Sequence, residues 1–292
     1  MAYLQTRAAD TQYKAMVYQN LPLVFRISSI TTIRRIVDIL QQIPLEAWEH
    51  IVACEPEWHY MSDLLPSYGE GPFAVLMVTA GLNDFQLKGK AEKAYWPVLK
   101  KYLVQSPIPD RPEDLIPALA PFYAGERLPE LKLRRLRRFL QSHLAQRMWL
   151  ADASTMAPHF QTIWLKLARI MEQSPEQKTI VFAMKCLGIA FLIAGERNFS
   201  FEKIPIPVDF RVRMLTRRLT RRNLDDEAIR FFWNQVLQEL QRTLPVTMIH
   251  LDSLVWQIGN LADNDLIAYF QRFNLDQVGK RLVDATRQQD AL

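Results

Sequence analysis

An all-α fold is the expectation for this chain of 292 residues, and three observations predict it. Glycine occurs only 9 times and β-branched runs are short, a balance that favours helix over sheet. Apolar residues recur at helical spacings of three, four and seven along most of the sequence. No convincing strand pattern interrupts them. Hydrophobic residues make up 49% and charged residues 23%, so the chain can bury a core in one large or two small domains.

Taken in order, residues 1–32 read as an extension with its own apolar patch (Leu21, Leu23, Val24, Phe25). Helical periodicity begins near Thr31, with Ile33, Ile36, Val37 and Leu40 on one face. Pro44 opens a second helix carrying Leu45, Trp48, Ile51 and Val52. Residues 73–82 are apolar nearly all round, which predicts a buried helix. A short amphipathic helix spans 96–104. Pro107, Pro109, Pro112 and Pro117 predict an extended connector. A long basic helix is expected over 131–150. Helices over 163–171 and 175–194 are joined by a tight turn, and a loop rich in charge and proline covers 196–207. Further helices follow at 209–222, 226–243 and 252–261, with a last apolar stripe over 266–282.

The net charge of +5 is unevenly spread. Lys132, Arg134, Arg135, Arg137, Arg138 and Arg147 form one basic strip, and Arg211, Arg213, Arg217, Arg218, Arg221 and Arg222 form another. Each is either a solvated helix face or a phosphate footprint. The two cysteines, Cys54 and Cys186, lie in no CxxC, which excludes a zinc knuckle and a four-cysteine cluster. The histidines (His50, His59, His143, His159, His250) form no HxxxH or HExxH pattern. No GxGxxG, P-loop or GxSxG occurs. Neither a metal nor a cofactor is therefore expected. The start, MAYLQTRAAD, lacks the apolar core of a signal peptide. The longest apolar run, 180–194, is broken by Lys185 and is too short to span a bilayer.

Three helix starts could carry chemistry. In Ser174-Pro175-Glu176-Gln177-Lys178, Ser174 suits the N-cap, Pro175 the first helical position, and Gln177 completes a capping box. Lys178 then faces the positive helix end at the mouth of an apolar helix, a setting for an amine nucleophile. A lysine that merely reaches to solvent fits the same pattern. Phe182 follows one turn later on the same face. In Ile204-Pro205-Ile206-Pro207-Val208-Asp209, Asp209 is placed to cap the next helix, either as structure alone or as a carboxylate aimed at a cleft. In His250-Leu251-Asp252-Ser253-Leu254-Val255-Trp256, Asp252 is a third cap candidate. It stands at i to Trp256 at i+4, a carboxylate beside an indole, as a flipped base requires.

In this order and spacing, the three segments resemble the archaeal GO glycosylase (AGOG) family, from about Arg35 to the last helices. That family is a branch of the helix-hairpin-helix glycosylases that excise 8-oxoguanine. The resemblance implies two helical subdomains flanking a cleft, here 33–62 with 200–292 and 63–199, the latter holding the hairpin and the lysine. It implies that Lys178 attacks the sugar C1′ and forms an imine, with Asp209 assisting. Phe182 and Trp256 match the aromatics that sandwich the base, and Asp252 matches a contact to its edge. Trp96 resembles a further base-pocket residue, with Tyr95 one position away as the alternative. Glu57, in Glu55-Pro56-Glu57-Trp58, stands where the family has a base-reading glutamine, and it can still accept from guanine N–H donors. The hairpin 171–175 has no glycine, none lies close before Asp209, and Phe210-Arg211 stands where the wider superfamily often has a histidine.

The implied function is base excision repair by a glycosylase/AP lyase. Its partner is double-stranded DNA containing oxidised guanine, and it acts without a cofactor, as a monomer, in the nucleoid-associated cytoplasm. A glycosylase for another damaged base, a helical DNA-binding protein without catalysis, and a helical scaffold for an acidic protein are the rival readings.

Overall fold

A computed structural model describes residues 23–287, with side chains from residue 30 onward. Residues 1–22, with most of the expected extension, lie outside that range. Among the described residues there is no strand. The helices are α1 (Leu23–Leu40), α2 (Leu45–Ala53), α3 (Pro56–Met61), α4 (Leu65–Tyr68), α5 (Glu70–Asn83) and α6 (Trp96–Gln105). They continue as α7 (Leu115–Ala124), α8 (Pro129–Leu140), α9 (His143–Trp149), α10 (Ala153–Met156), α11 (Phe160–Ile170) and α12 (Lys178–Ile193). The last five are α13 (Phe210–Thr220), α14 (Asp226–Leu240), α15 (Met248–Ile258), α16 (Asp263–Gln271) and α17 (Asp276–Arg287). No described helix is long and apolar enough to cross a membrane.

The centre is the pair α5 and α12, both apolar nearly all round and both buried on almost every face. They touch closely at Gly81. A Cβ there would lie 2.8 Å from Ala183 Cα and 2.8 Å from Cys186 Sγ. Helices α8 and α9 cover α5, and α11 covers α12. A second group joins the two ends of the chain: α1 packs on α14 and α17, α2 on α15, and α13 on α15 and α17. Helices α3 and α15 bridge the groups through contacts with α12.

Several expectations need correction. Helix α1 begins at Leu23, so the periodicity near Thr31 falls inside a helix already under way. The proline connector is shorter than expected. Pro117 sits in the first turn of α7, where proline's missing N–H leaves no intrahelical bond unmade. The basic stretch 131–150 is two helices, because Ser142 caps α9 by accepting the Ala145 N–H at 3.2 Å.

The start of α12 also differs. Its first residue is Lys178, and Gln177 precedes it without a side-chain cap. The expected capping box on Ser174 is absent. The carbonyl of Pro175, which a longer helix would use, instead accepts the Trp164 indole N–H at 2.8 Å. Residues 174–177 close as a turn, with Gln177 N–H donating to the Ser174 carbonyl at 3.0 Å. The third start is displaced as well. Helix α15 begins at Met248, and Thr247 N–H donates to His250 Nδ1 at 3.1 Å, so Asp252 lies in the second turn and is no cap.

Candidate active site

The charges at the starts of α12 and α13 both act on Asp84, at the end of α5. Asp84 follows the last residue of α5, and its Oδ2 accepts the indole N–H of Trp96 at 3.1 Å. Burial pushes its carboxyl up to about 6, the Lys178 ammonium and the Trp96 bond pull it down, and Asp209 pushes it up. Lys178, at the first position of α12, and Asp209, at the N-cap of α13, therefore act on the same carboxyl. Asp209 is the cap expected: its Oδ1 accepts the Val212 N–H at 2.9 Å. The bond fixes the carboxylate while Oδ2 stays available. Lys178 and Asp209 are both half-buried.

The approach of α13 to this point depends on Gly259, at the end of α15. A Cβ there would lie 2.5 Å from the Arg211 carbonyl oxygen. The first turn of α13 can thus lie against α15 and bring Arg211 over Trp256. The guanidinium carbon lies 3.9 Å from the indole centroid, and Glu92 holds the same side chain at 3.1 Å. Phe182 and Trp256 are half-buried on α12 and α15, which touch. Trp96 and Tyr95 are wholly buried. Trp96 reaches the site through Asp84. Tyr95 turns away: its hydroxyl donates to the Ala80 carbonyl at 2.7 Å and lies 3.0 Å from the Tyr123 hydroxyl.

Beside this centre lies a buried charge cluster. The ammonium of Lys185 is 2.6 Å from Asp252 Oδ2 and 3.3 Å from Glu55 Oε2. It is also 5.9 Å from the Phe182 ring centroid. Burial alone would lower Lys185, but Asp252 and Glu55 lift it above the ordinary lysine range. Burial raises Asp252 to about 6 against the pull of Lys185. Glu57, on α3, is buried nearby.

A family model described as AGOG, N-glycosylase/DNA lyase, matches residues 37–286. The chain belongs to the AGOG family. An N-glycosylase/DNA lyase of Methanopyrus kandleri is 33% identical over 212 residues, 70% of this chain and 79% of that protein. One of Pyrobaculum aerophilum is 26% identical over 245 residues, 78% of this chain and 86% of that protein. The fold matches a crystal structure of Pa-AGOG, an 8-oxoguanine DNA glycosylase from Pyrobaculum aerophilum, complexed with 8-oxoguanosine. The TM-score is 0.68 at 20% identity, covering 89% of this chain and 98% of that one.

Three residues of this site escaped sequence reasoning. Lys185 left one signal, a lone charge in an apolar helix. Asp84 left none. Arg135 was counted as part of a surface strip, yet it is buried. Its guanidinium donates to the Leu82 carbonyl at 2.9 Å, to Gln173 Oε1 at 2.9 Å and to Thr179 Oγ1 at 3.1 Å. Burial brings it down to about 10, so it stays charged at neutral pH. It ties the end of α5, beside Asp84, to the hairpin and to the residue after Lys178. Arg135→Met should lower unfolding free energy by about 1–3 kcal/mol for each buried group left unpaired. Urea denaturation checks this; an unchanged midpoint would show the three acceptors satisfied by other means.

The basic strips are likewise thinner than the sequence implies. Lys132 is wholly buried against Glu126 at 3.2 Å. Arg213 pairs with Asp226, Arg218 with Asp263 and Arg138 with Glu172. Arg134, Arg137, Arg147, Arg217 and Arg221 are exposed.

Proposed function

We propose that this chain excises 8-oxoguanine from double-stranded DNA and then nicks the strand at the resulting site. The observation that carries the reading is the convergence of Lys178 and Asp209 on Asp84, in a chain of the AGOG family. In the proposed reaction the duplex lies between the two helical halves, 33–62 with 200–292 and 63–199. The exposed arginines contact phosphates, and the damaged nucleotide leaves the stack. Phe182 and Trp256 take the base between them, after Arg211 leaves whichever indole face the base needs. Asp252 and Glu57 read its edge, and Trp96 supports the pocket through Asp84.

Lys178 Nζ, as a free amine, forms a bond to C1′ while the bond from C1′ to the base breaks and its electron pair leaves with the base. The carboxylate of Asp209, held by the α13 amide, stabilises positive charge developing on the sugar. Loss of a proton from the amine and ring opening give the imine. β-Elimination then expels the 3′ phosphate. The enzyme acts as a monomer in the cytoplasm, at the nucleoid.

Borohydride trapping on a duplex with one 8-oxoguanine tests this. Wild type should give a covalent protein–DNA band, and Lys178→Gln should give none while still binding the duplex. A band that persists in Lys178→Gln would assign the imine to another amine. Tight binding by wild type with no band would move the search to other damaged bases, for which Glu57 is the residue to suspect.

A further inference from the structure

The cluster around Lys185 does not balance. Three carboxyl groups, Glu55, Asp252 and Glu57, surround one ammonium. Two of them are held: Asp252 Oδ2 at 2.6 Å and Glu55 Oε2 at 3.3 Å from Nζ. Glu55 Oε1 also accepts the Gln257 amide at 3.2 Å. Glu57 is only 2% exposed, and among the described residues its Oε2 has no hydrogen-bond partner. The second oxygen of Asp252, Oδ1, is equally buried and equally unpartnered. A third buried negative charge against one cation is costly, and the group with no ion pair is the one that takes up a proton.

We propose that Glu57 is a neutral carboxylic acid that reads an N–H/C=O edge of the extruded base, beside Asp252 as a carboxylate. The proposal rests on the glycosylase reading above. Its O–H donates to the base carbonyl and its own C=O accepts the adjacent N–H. Asp252 Oδ1 accepts a further N–H. The two orphaned oxygens are thereby satisfied by one ligand. A guanine-type edge presents a carbonyl, a ring N–H and an amino group in that order. An adenine-type edge lacks the third donor and leaves Asp252 Oδ1 unpaired. An ionised Glu57 would have no hydrogen to give the carbonyl.

The surroundings agree. Burial is the largest influence raising the Glu57 carboxyl well above the usual range. Glu55, at the start of α3, and Asp84, at the end of α5, add to it, and Lys185 on α12 opposes it. Cys186, also on α12, has its thiol raised by burial and by Glu57. Alkaline pH should therefore ionise Glu57 and remove the donor.

Infrared difference spectra of the free protein at about pH 8, above the usual carboxyl range, test the protonation. Wild type should show the C=O band of a protonated carboxyl group, shifting in D2O. The near-isosteric Glu57→Gln should lack it while keeping its helical circular dichroism. Because the folded state holds this proton more tightly than the unfolded chain, wild-type stability falls as pH rises above the ordinary glutamate range. Glu57→Gln should accordingly melt higher than wild type, by a margin that widens with pH.

In single-turnover assays on 8-oxoguanine DNA, wild-type excision should fall at alkaline pH, and Glu57→Gln, whose amide donor cannot ionise, should show no such fall. Glu57→Ala should lose about tenfold or more. An active wild type with no protonated-carboxyl band, or a band that survives in Glu57→Gln, overturns the proposal alone. A wild type that binds DNA but excises no 8-oxoguanine overturns the glycosylase reading, and the base contact falls with it.

Discussion

Lys185→Met should cost about 3–5 kcal/mol of folding stability, the range for removing one partner of a buried ion pair. Methionine fills the same space on α12, so the loss comes from charge rather than volume. Asp252 and Glu55, both held by Lys185 in the folded protein, would be left buried without their cation. They could remain in place only by taking up protons. Asp252, already raised by burial, would then have a folded-state pKa still further above its unfolded value, so the variant loses stability as pH rises through the carboxylate range. The gap to wild type should be smallest near pH 4 and widest near pH 7. Urea unfolding at the two pH values measures it. A gap that is small and flat with pH would mean that the cluster is not held by charge.

The second large effect is on rate. Asp209→Asn should leave the melting temperature close to wild type, because asparagine caps a helix about as well as aspartate and can accept the Val212 N–H. It removes the negative charge, and excision should fall by about 10²–10⁴-fold, the usual worth of a positioned acid or base. Asp209→Ala should show the same loss of rate together with about 1 kcal/mol of lost stability, from the missing cap. Single-turnover kinetics beside thermal melts separate the two effects. Turnover retained in Asp209→Asn would reduce the aspartate to a helix cap.

What the sequence disclosed about this site divides by range. The helical class, the buried α5 and the cap on α13 depend on neighbours within a few residues, and apolar spacing and capping chemistry report these directly. The start of α12 was misplaced because the Trp164 indole takes the Pro175 carbonyl, a bond between residues on different elements. Asp252 was misread as a cap because His250 does the work that a glutamate or glutamine commonly does in such a turn. The charge cluster joins Glu55 and Glu57 to Lys185 and Asp252 across far larger separations, and no local pattern encodes such a meeting. Lys185 alone was visible, as an interruption in a run of apolar residues. The basic strips misled for the converse reason. Spacing places Arg135 and Lys132 beside Arg134 and Arg137, but the helix turns the first two into the core.

The close contact at Gly81 has a consequence for how a nucleotide is measured. With no room for even a methyl group between them, α5 and α12 cannot slide past one another without losing that fit. Along α12 stand Lys178, Phe182 and Lys185, at steps of four and three residues on one stripe, over about 10 Å of helix rise. In the proposed reaction these positions serve the sugar, the ring face and, through Asp252, the outer edge of the base. In that proposal the helix would serve as a gauge whose marks follow the order of the nucleotide's own parts. A gauge clamped in this way would accept or reject by length as well as by hydrogen bonds, and the proposal makes the DNA the yielding part of the encounter.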